Sequence, residues 1–293
     1  MKLTEKEAKK KIDKLIKTIE HHRKLYYELD QPEIDDEEYD ALERELISLE
    51  KEFPKLKRKD SPIEKVGAKA SKGFEKVEHK VSQWSFGDVF DEEETKKFDE
   101  RVKRELSKDF SGEIKPEYTA ELKIDGLKIV LTYQDGNLVT AATRGDGKVG
   151  ENVTENVKTI KSIPHSIKEK GEVIVEGEIY LSKKQFEKIN FELDKKGETV
   201  YANPRNLAAG TLRQLDSKIV EERKLDSFMY DIAKAPNEPD TQDGELKWLE
   251  KQGFSVEPHF SICKNIDEVI KFWKDWNKKK DKQEFLIDGV VIK

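Results

Sequence analysis

The sequence predicts an α+β protein in which an N-terminal pair of helices precedes a larger region of antiparallel strands and flanking helices. Apolar residues recur at helical spacing through the first 53 residues. From Thr119 onward they alternate or form strand-length runs around the turn dipeptide Asp135-Gly136. Strands that directly follow one another favour antiparallel sheets over a parallel βαβ arrangement. The length of 293 residues fits about two domains.

The composition narrows the class of protein. Charged residues make up 40% of the chain, yet 13 Phe, 8 Tyr and 4 Trp supply enough apolar bulk for cores. The apolar runs are strand-sized and the first residues are charged, which predicts a cytoplasmic protein without a membrane span or signal peptide. The single cysteine, Cys263, excludes a disulfide framework and a Cys-rich zinc site, and we expect it to be buried. A net charge of −6 requires any contact with a polyanion to be local.

The N-terminal region reads as a helical hairpin. A helix is predicted over residues 4 to about 29, opened by a Thr4/Glu7 capping box, with an apolar face of Ala8, Ile12, Leu15, Ile16 and Ile19. A second helix begins at Asp35 or Asp36 and stops at Pro54, with an apolar face of Tyr39, Leu42, Leu46, Leu49 and Phe53. Residues 54 to about 83 are Lys-rich and predict a linker.

The remaining elements follow from local periodicity and turn residues. Strands are predicted at 119–124, 127–133, 138–143, 172–181, 227–232 and 285–292. Helices are predicted at 91–106, 183–195, 204 to about 214, and 266–278. These elements are enough for two antiparallel sheets with helices packed against them.

The segment Glu121-Leu122-Lys123-Ile124-Asp125-Gly126 carries the candidate chemistry. In a strand, Glu121, Lys123 and Asp125 share one face, which places a lysine between two carboxylates. This pattern alone fits a solvated sheet face equally well. A nucleophilic lysine must lose its proton, so we expect a second cation or a metal nearby to lower its pKa, and Lys293 at the end of an apolar strand is the candidate.

Several ordered motifs separate these readings. The segments Glu121 to Gly126 and Asp288-Gly289-Val290-Val291-Ile292-Lys293 frame three further motifs, Thr143 to Gly147, Glu176-Gly177-Glu178, and Tyr201 to Asn206 with Ala208-Ala209-Gly210 and Leu212-Arg213-Gln214. In order and spacing this set resembles the covalent nucleotidyltransferases, and among them the NAD+-dependent DNA ligases. The resemblance implies a covalent nucleotidyltransferase (ATP-grasp-like ligase) domain of two antiparallel sheets with the AMP pocket between them.

The N-terminal hairpin carries a second resemblance. Tyr26-Tyr27, Asp30 to Glu33 and Asp36 to Asp40 resemble the small domain that receives the nicotinamide mononucleotide (NMN) half of NAD+ in these ligases. Tyr39 as helix core and the acids as partners of the helix N-terminus are the alternative reading. The implied division is a helical NMN-binding cap domain with its linker at 1–70 and an adenylation domain at 71–293, truncated before an OB domain.

The resemblance implies a role for each matching residue. Lys123 would be the AMP acceptor, Glu121 would contact adenine, Tyr230 would stack on it, Arg144 and Glu178 would hold the ribose, and Lys293 would lie beside the adenine and the α-phosphate. Cofactor-binding positions would also include Asp125, Ser85 and Phe86 in the NAD+ site, Arg205 and Arg213 on phosphates, and Tyr26, Asp36, Glu37, Glu38, Tyr39 and Asp40 on the NMN half. The implied cofactors are NAD+ as AMP donor and Mg2+, for which the sequence offers no dedicated protein cage. The implied partner is nicked double-stranded DNA, bound weakly by a monomer.

Departures and alternatives remain at this point. Trp84 to Asp88, Ala120 and Tyr230-Asp231 differ from the family's usual Leu-Ser-Leu-Asp-Asn, Cys and Tyr-Gly, which leaves details of the NAD+ pocket open. Gly145 to Gly150 satisfies the G-x-G-x-x-G dinucleotide fingerprint, so a Rossmann dehydrogenase is a formal alternative. An NAD+-binding or DNA-repair interaction module without turnover, and an ATP-using RNA ligase or capping-type enzyme, are the others.

Overall fold

The protein is described by a computed structural model that covers residues 3–27, 33–34, 36–58, 61–64 and 73–293. The predicted cap residue Asp35 and the motif residues Asp30 to Pro32 lie outside the described residues. Two compact units divide the chain. Unit 1 is Met1–Trp84 with Arg144–Glu151, and unit 2 is Ser85–Thr143 with Asn152–Lys293.

Unit 1 contains the predicted helical hairpin, with helices α1 (Glu5–Tyr27) and α2 (Asp36–Glu52). The capping box is confirmed, since the Thr4 backbone N donates to Glu7 Oε2 at 2.9 Å and the Glu7 N donates to Thr4 Oγ1 at 3.4 Å. The predicted apolar positions of α1 meet Leu46 and Leu49 of α2 in one buried cluster. Two 3₁₀ turns follow, at Pro54–Leu56 and Pro62–Glu64.

A short sheet in unit 1 corrects the prediction of a linker up to residue 83. Strand β1 (Lys76–Glu78) pairs antiparallel with β5 (Val149–Glu151), residues more than 70 positions later in the chain. A three-residue strand with one apolar side chain has no periodicity to detect, because only its distant partner defines it. The turn before β5 uses Gly145 and Gly147 at φ of 57° and 90°, and Asp146 Oδ1 accepts from the backbone N of Lys148 and Val149. This glycine segment leads into a strand, whereas a dinucleotide fingerprint leads into a helix, so the Rossmann alternative is wrong.

Unit 2 contains two antiparallel sheets, as predicted. The three-stranded sheet has the order β8 (Ser261–Cys263), β2 (Tyr118–Ile124), β9 (Ile287–Ile292), and the four-stranded sheet has the order β4 (Asn137–Thr143), β3 (Leu127–Gln134), β6 (Glu172–Tyr180), β7 (Asp226–Lys234). The Asp135-Gly136 hairpin is confirmed, with both residues at positive φ, as a type I′ turn requires.

Helices flank these sheets at the predicted places and at three others. Those predicted are α3 (Glu92–Leu106), α5 (Lys183–Lys195), α6 (Pro204–Leu212) and α9 (Ile266–Asn277). Those missed are α4 (Thr154–Val157), α7 (Ser217–Arg223) and α8 (Gln242–Gln252), along with strand β8. Helix α8 buries only Leu246 and Leu249 and contains Gly244, so its apolar periodicity is weak.

The two faces of β2 separate the core from the site. Leu122 and Ile124 are buried in a cluster with Tyr180, Trp276 and Phe285, so Glu121 and Lys123 project from the opposite face. The ladder between β2 and β9 shifts register between Lys123 and Ile124, and Asp125 lies just beyond the strand. Cys263 is buried with 2% exposure, as expected of a small apolar residue.

Gly126 allows the turn after β2 to lie directly against β6. A Cβ there would overlap the backbone carbonyl oxygen of Ile179 and lie 2.9 Å from Cγ of Glu178. The glycine therefore fixes the distance between the Lys123 strand and the Glu178 strand. Among the helices in the described ranges, none combines the length and apolarity that a membrane span requires.

Candidate active site

Lys123 is held at the exposed end of β2 by a carboxylate from the neighbouring strand. Its Nζ donates to Asp288 Oδ2 at 2.7 Å, and the side chains are 49% and 29% exposed. In the β2–β9 ladder Lys123 lies opposite Gly289, where an added Cβ would meet no described atom within 4 Å. The lysine is thus fixed in direction yet open on the side where a substrate would approach.

The pKa of Lys123 lies above its ordinary value of 10.5. Burial lowers it, but the charge of Asp288 and the hydrogen bond to it raise it more, and Arg205 opposes them. Two expectations from the sequence are therefore wrong for this arrangement. The lysine is stabilised in its protonated form, and the nearby cation is Arg205 instead of Lys293.

Arg205 is presented by the first turn of α6, whose start is fixed by Pro204 and by the Asn203 side chain, which accepts from the backbone N of Asn206. Its Nη1 donates to Asp125 Oδ1 at 3.0 Å, with side-chain exposures of 21% and 8%. The predicted companion Arg213 is the C-cap of α6 and lies just past the last helical residue. The sequence reading had both arginines within one helix.

A second cluster surrounds Lys293 in unit 2. Its Nζ donates to the backbone oxygen of Tyr230 at 2.8 Å and to Asp231 Oδ1 at 2.9 Å, and it lies 3.6 Å from Glu121 Oε1. The ammonium is also 5.4 Å from the centre of the Tyr230 ring. Backbone hydrogen bonds between Lys293 and Thr119 in both directions place this lysine beside Glu121.

Glu121 is a buried carboxylate with a strongly shifted pKa. Burial raises its pKa to about 7, the charge of Lys293 acts against this, and the charge of Asp231 adds to it. A cavity of about 20 Å³, enough for one water molecule, adjoins Glu121, Tyr230 and Glu257. Glu121 is therefore poised between its neutral and charged forms near neutral pH.

Glu178 and Tyr230 lie on the four-stranded sheet. The Tyr230 hydroxyl donates to Glu178 Oε2 at 3.4 Å, and burial together with the neighbouring carboxylates raises the pKa of Tyr230 well above 10.0. Beside them, Lys128 Nζ pairs with Glu176 Oε2 at 2.5 Å. The structure thus brings Glu178 and Tyr230 together, as the predicted pocket requires.

Other predicted residues lie further along the chain or in unit 1. Ser85 and Phe86 belong to the exposed segment before α3, where Phe86 is 67% exposed. Arg144 lies in unit 1, where its backbone oxygen is 3.1 Å from His79 Nε2. Glu178 lies in unit 2, so their joint contact with a ribose stays a prediction.

The hairpin residues are described only in part. Tyr39 is half-buried against the α1–α2 core, and Glu38 and Asp40 are exposed. The side chains of Tyr26, Asp36 and Glu37 lie outside the described residues. His21 Nε2 lies 3.2 Å from Glu33 Oε2 and His22 is nearby, which brings possible metal-ligand atoms within 4.8 Å of one another. Adjacent helical residues project about 100° apart, so we interpret this group as an exposed His–Glu pair.

Sequence reasoning missed two acidic residues, Asp288 and Asp231. Asp288 lies within a recognised motif, immediately before the glycine opposite Lys123, and this position was the available signal. Asp231 was noted only as a departure from a pattern. Its contact with Lys293 depends on how β7 approaches β9, which no local pattern records.

Comparison with known proteins agrees with this geometry. Residues 71–293 match the NAD-dependent DNA ligase adenylation domain, and residues 5–67 match the DNA ligase-like, N-terminal NAD+-binding domain. The DNA ligase of Thermotoga petrophila is 46% identical over 289 residues, 98% of this chain and 41% of that protein. Those of Fervidobacterium nodosum and Clostridioides difficile are 46% and 45% identical, over 99% and 98% of this chain and 42% of each relative.

The chain therefore spans about two fifths of the length of these curated relatives. Both family matches follow the order of the chain and together cover nearly all of it. On this evidence the chain belongs to the NAD-dependent DNA ligases.

Proposed function

We propose that Lys123 attacks the α-phosphorus of NAD+ and carries AMP for transfer to the 5′-phosphate of a DNA nick. An N–P bond forms at Nζ, and the P–O bond to NMN breaks. Before attack the ammonium must lose a proton, and Asp288 Oδ2 at 2.7 Å is the acceptor within reach. The observation that carries the proposal is this directed lysine on an open strand end, with Arg205 opposing its protonation.

The adenine end of the proposed site rests on hydrogen-bond complementarity. Adenine presents an amino donor beside the ring acceptor N1, and Glu121 with Lys293 presents an acceptor beside a donor. Tyr230 supplies an aromatic face, and Glu178, with Arg144, would hold the ribose. Ser85, Phe86 and Arg213 remain proposed contacts to the rest of NAD+ or the nick.

Magnesium belongs to the proposal as a partner of the phosphates. Mg2+ takes oxygen ligands and binds through one or two carboxylates together with substrate phosphates. Asp288 fits this requirement, because its carboxylate is partly exposed beside Lys123. When bound there, the ion would neutralise phosphate charge.

DNA and cellular context complete the proposal. Because nonspecific affinity for DNA comes chiefly from phosphate neutralisation, a net charge of −6 supports weak nick binding through local cations such as Arg205 and Arg213. The highly charged composition supports a monomer in the cytoplasm. The hairpin residues Tyr39 and Asp40 would serve the NMN half.

Intact-mass measurement after incubation with NAD+ and Mg2+ tests the chemistry. We expect wild type to gain one AMP, and Lys123→Ala and Lys123→Arg to gain none, because a guanidinium stays protonated. Lys234→Ala is the matched control, since Lys234 pairs with Glu172 at 2.6 Å and is 54% exposed, much like Lys123. An adduct on the Lys123 variants would refute the assignment.

The nucleotide dependence separates the alternatives. An adduct formed from ATP but not NAD+ would favour an RNA ligase or capping-type enzyme. Binding of NAD+ with no adduct on wild type would favour a module without turnover.

A further inference from the structure

Lys293 is anchored by two partners and held short of a third. A lysine ammonium has three N–H donors. Those of Lys293 reach the Tyr230 backbone oxygen at 2.8 Å and Asp231 Oδ1 at 2.9 Å, whereas Glu121 Oε1 is 3.6 Å away. Among the described residues, Glu121 Oε1 has no hydrogen-bond partner, although it is fully enclosed.

This arrangement is unexpected for two buried opposite charges. The side chains of Lys293 and Glu121 are 12% and 10% exposed, so a direct contact would relieve the cost of burying both. Asp231, at 34% exposure, is better solvated and lies closer to the ammonium. It is the competing carboxylate that draws Lys293 away from Glu121.

We propose that Asp231 is a positioning residue that keeps Lys293 and Glu121 apart, so that together they distinguish adenine from bases lacking its amino group. This rests on the proposed function, because it assigns adenine to that pair. With Asp231 in place, one N–H of Lys293 and one oxygen of Glu121 remain available side by side. Without it, the two side chains close into an ion pair and satisfy each other.

Hypoxanthine provides the discriminating chemistry. It has a carbonyl where adenine has the amino group and an N–H where adenine has the acceptor N1, so its pattern opposes Glu121 and Lys293 at both positions. AMP and inosine monophosphate (IMP) share the ribose and phosphate. The ratio of their dissociation constants therefore isolates recognition of the base.

The test measures AMP and IMP binding by calorimetry on wild type, Asp231→Ala, Asp231→Asn and Glu172→Ala. Wild type should prefer AMP, and Asp231→Ala should lose roughly tenfold of that preference, the worth of about one charge-assisted hydrogen bond. Asp231→Asn keeps an acceptor oxygen without the charge, so it should retain part of the preference. Glu172→Ala removes a carboxylate that pairs with Lys234 between the same two strands and should leave the preference unchanged.

The outcomes separate the inference from the function on which it rests. An unchanged AMP/IMP ratio in both Asp231 variants would overturn it, as would an equal loss in Glu172→Ala. If Asp231→Ala fails to fold, Asp231→Asn decides alone. A wild type that prefers AMP but forms no adduct would refute the adenylation chemistry and leave the role of Asp231 standing, whereas a wild type without base preference would overturn the inference itself.

Discussion

Replacing Arg205 tests whether the site depends on paired buried charges. Asp125 is only 8% exposed, and Arg205 Nη1 is its partner at 3.0 Å. Removing one member of a fully buried pair costs about 3 to 5 kcal/mol, because the other charge stays buried. Arg205 is 21% exposed, so water would enter the vacated space and reduce this to about 2 to 3 kcal/mol. In unit 2, of about 200 residues, that lowers the Tm by roughly 4 to 12 °C.

The assay is thermal unfolding of Arg205→Ala, Arg205→Lys and Arg223→Ala. The lysine variant keeps the charge and one donor, so it should lose only about 1 kcal/mol. Arg223 Nη1 donates to the neutral Thr211 Oγ1 at 3.0 Å, which makes its alanine variant a control for losing an arginine without stranding a charge. Its loss should also be about 1 kcal/mol.

A double-mutant cycle with Asp125→Asn isolates the pair. In that background Arg205→Ala strands no charge, so its cost should fall by at least half. At neutral pH Arg205→Ala should also slow AMP transfer to Lys123, because the charge of Arg205 lowers the lysine pKa. Equal destabilisation by Arg205→Ala in both backgrounds would refute the reasoning.

Two further predictions concern the two ends of NAD+. Tyr39→Phe and Asp40→Ala should slow AMP transfer from NAD+ tenfold or more while changing AMP affinity less than about twofold, the difference expected for contacts to the departing NMN half alone; Asp13→Ala on the same hairpin is the control, and equal loss of both properties would place the NMN site elsewhere. Affinity for adenosine, which carries no phosphate to titrate, should rise as pH increases through about 7, because burial raises the Glu121 pKa to that value and the ionised form accepts the amino group more strongly. The groups that face Glu121 are Lys293 from β9, Asp231 from β7 and Gln242 from α8, and a flat profile from pH 6 to about 8 would exclude this role.

The sequence was sufficient wherever a periodic pattern coincided with a single element. The apolar face of α1, the Asp135-Gly136 turn and the alternation through Glu121 and Lys123 were each local, and each is confirmed. The ordered motifs also identified the family before any geometry was known. These features depend on neighbours within a few positions, which a single sequence displays.

The remaining features depend on contacts between distant segments. The β1–β5 pair joins residues 76–78 to 149–151, and neither strand is long enough to be recognised alone. The protonated state of Lys123 follows from Asp288, 165 positions away in the chain. Its alternation with Glu121 predicted the direction of the lysine, but the balance of charges around it required the β2–β9 ladder.

Three cations in unit 2 share one arrangement, which bears on how an anionic substrate is received. Lys123, Arg205 and Lys293 each contact an aspartate, namely Asp288, Asp125 and Asp231 respectively. Each pair is close to neutral as a whole, so the site holds its cations in fixed directions without concentrating positive charge. A phosphate that approaches such a site gains less from long-range attraction than from exchanging for one of these carboxylates at close range. Because Lys123 and Asp288 form the most exposed of the three pairs, the exchange is least costly at the proposed nucleophile.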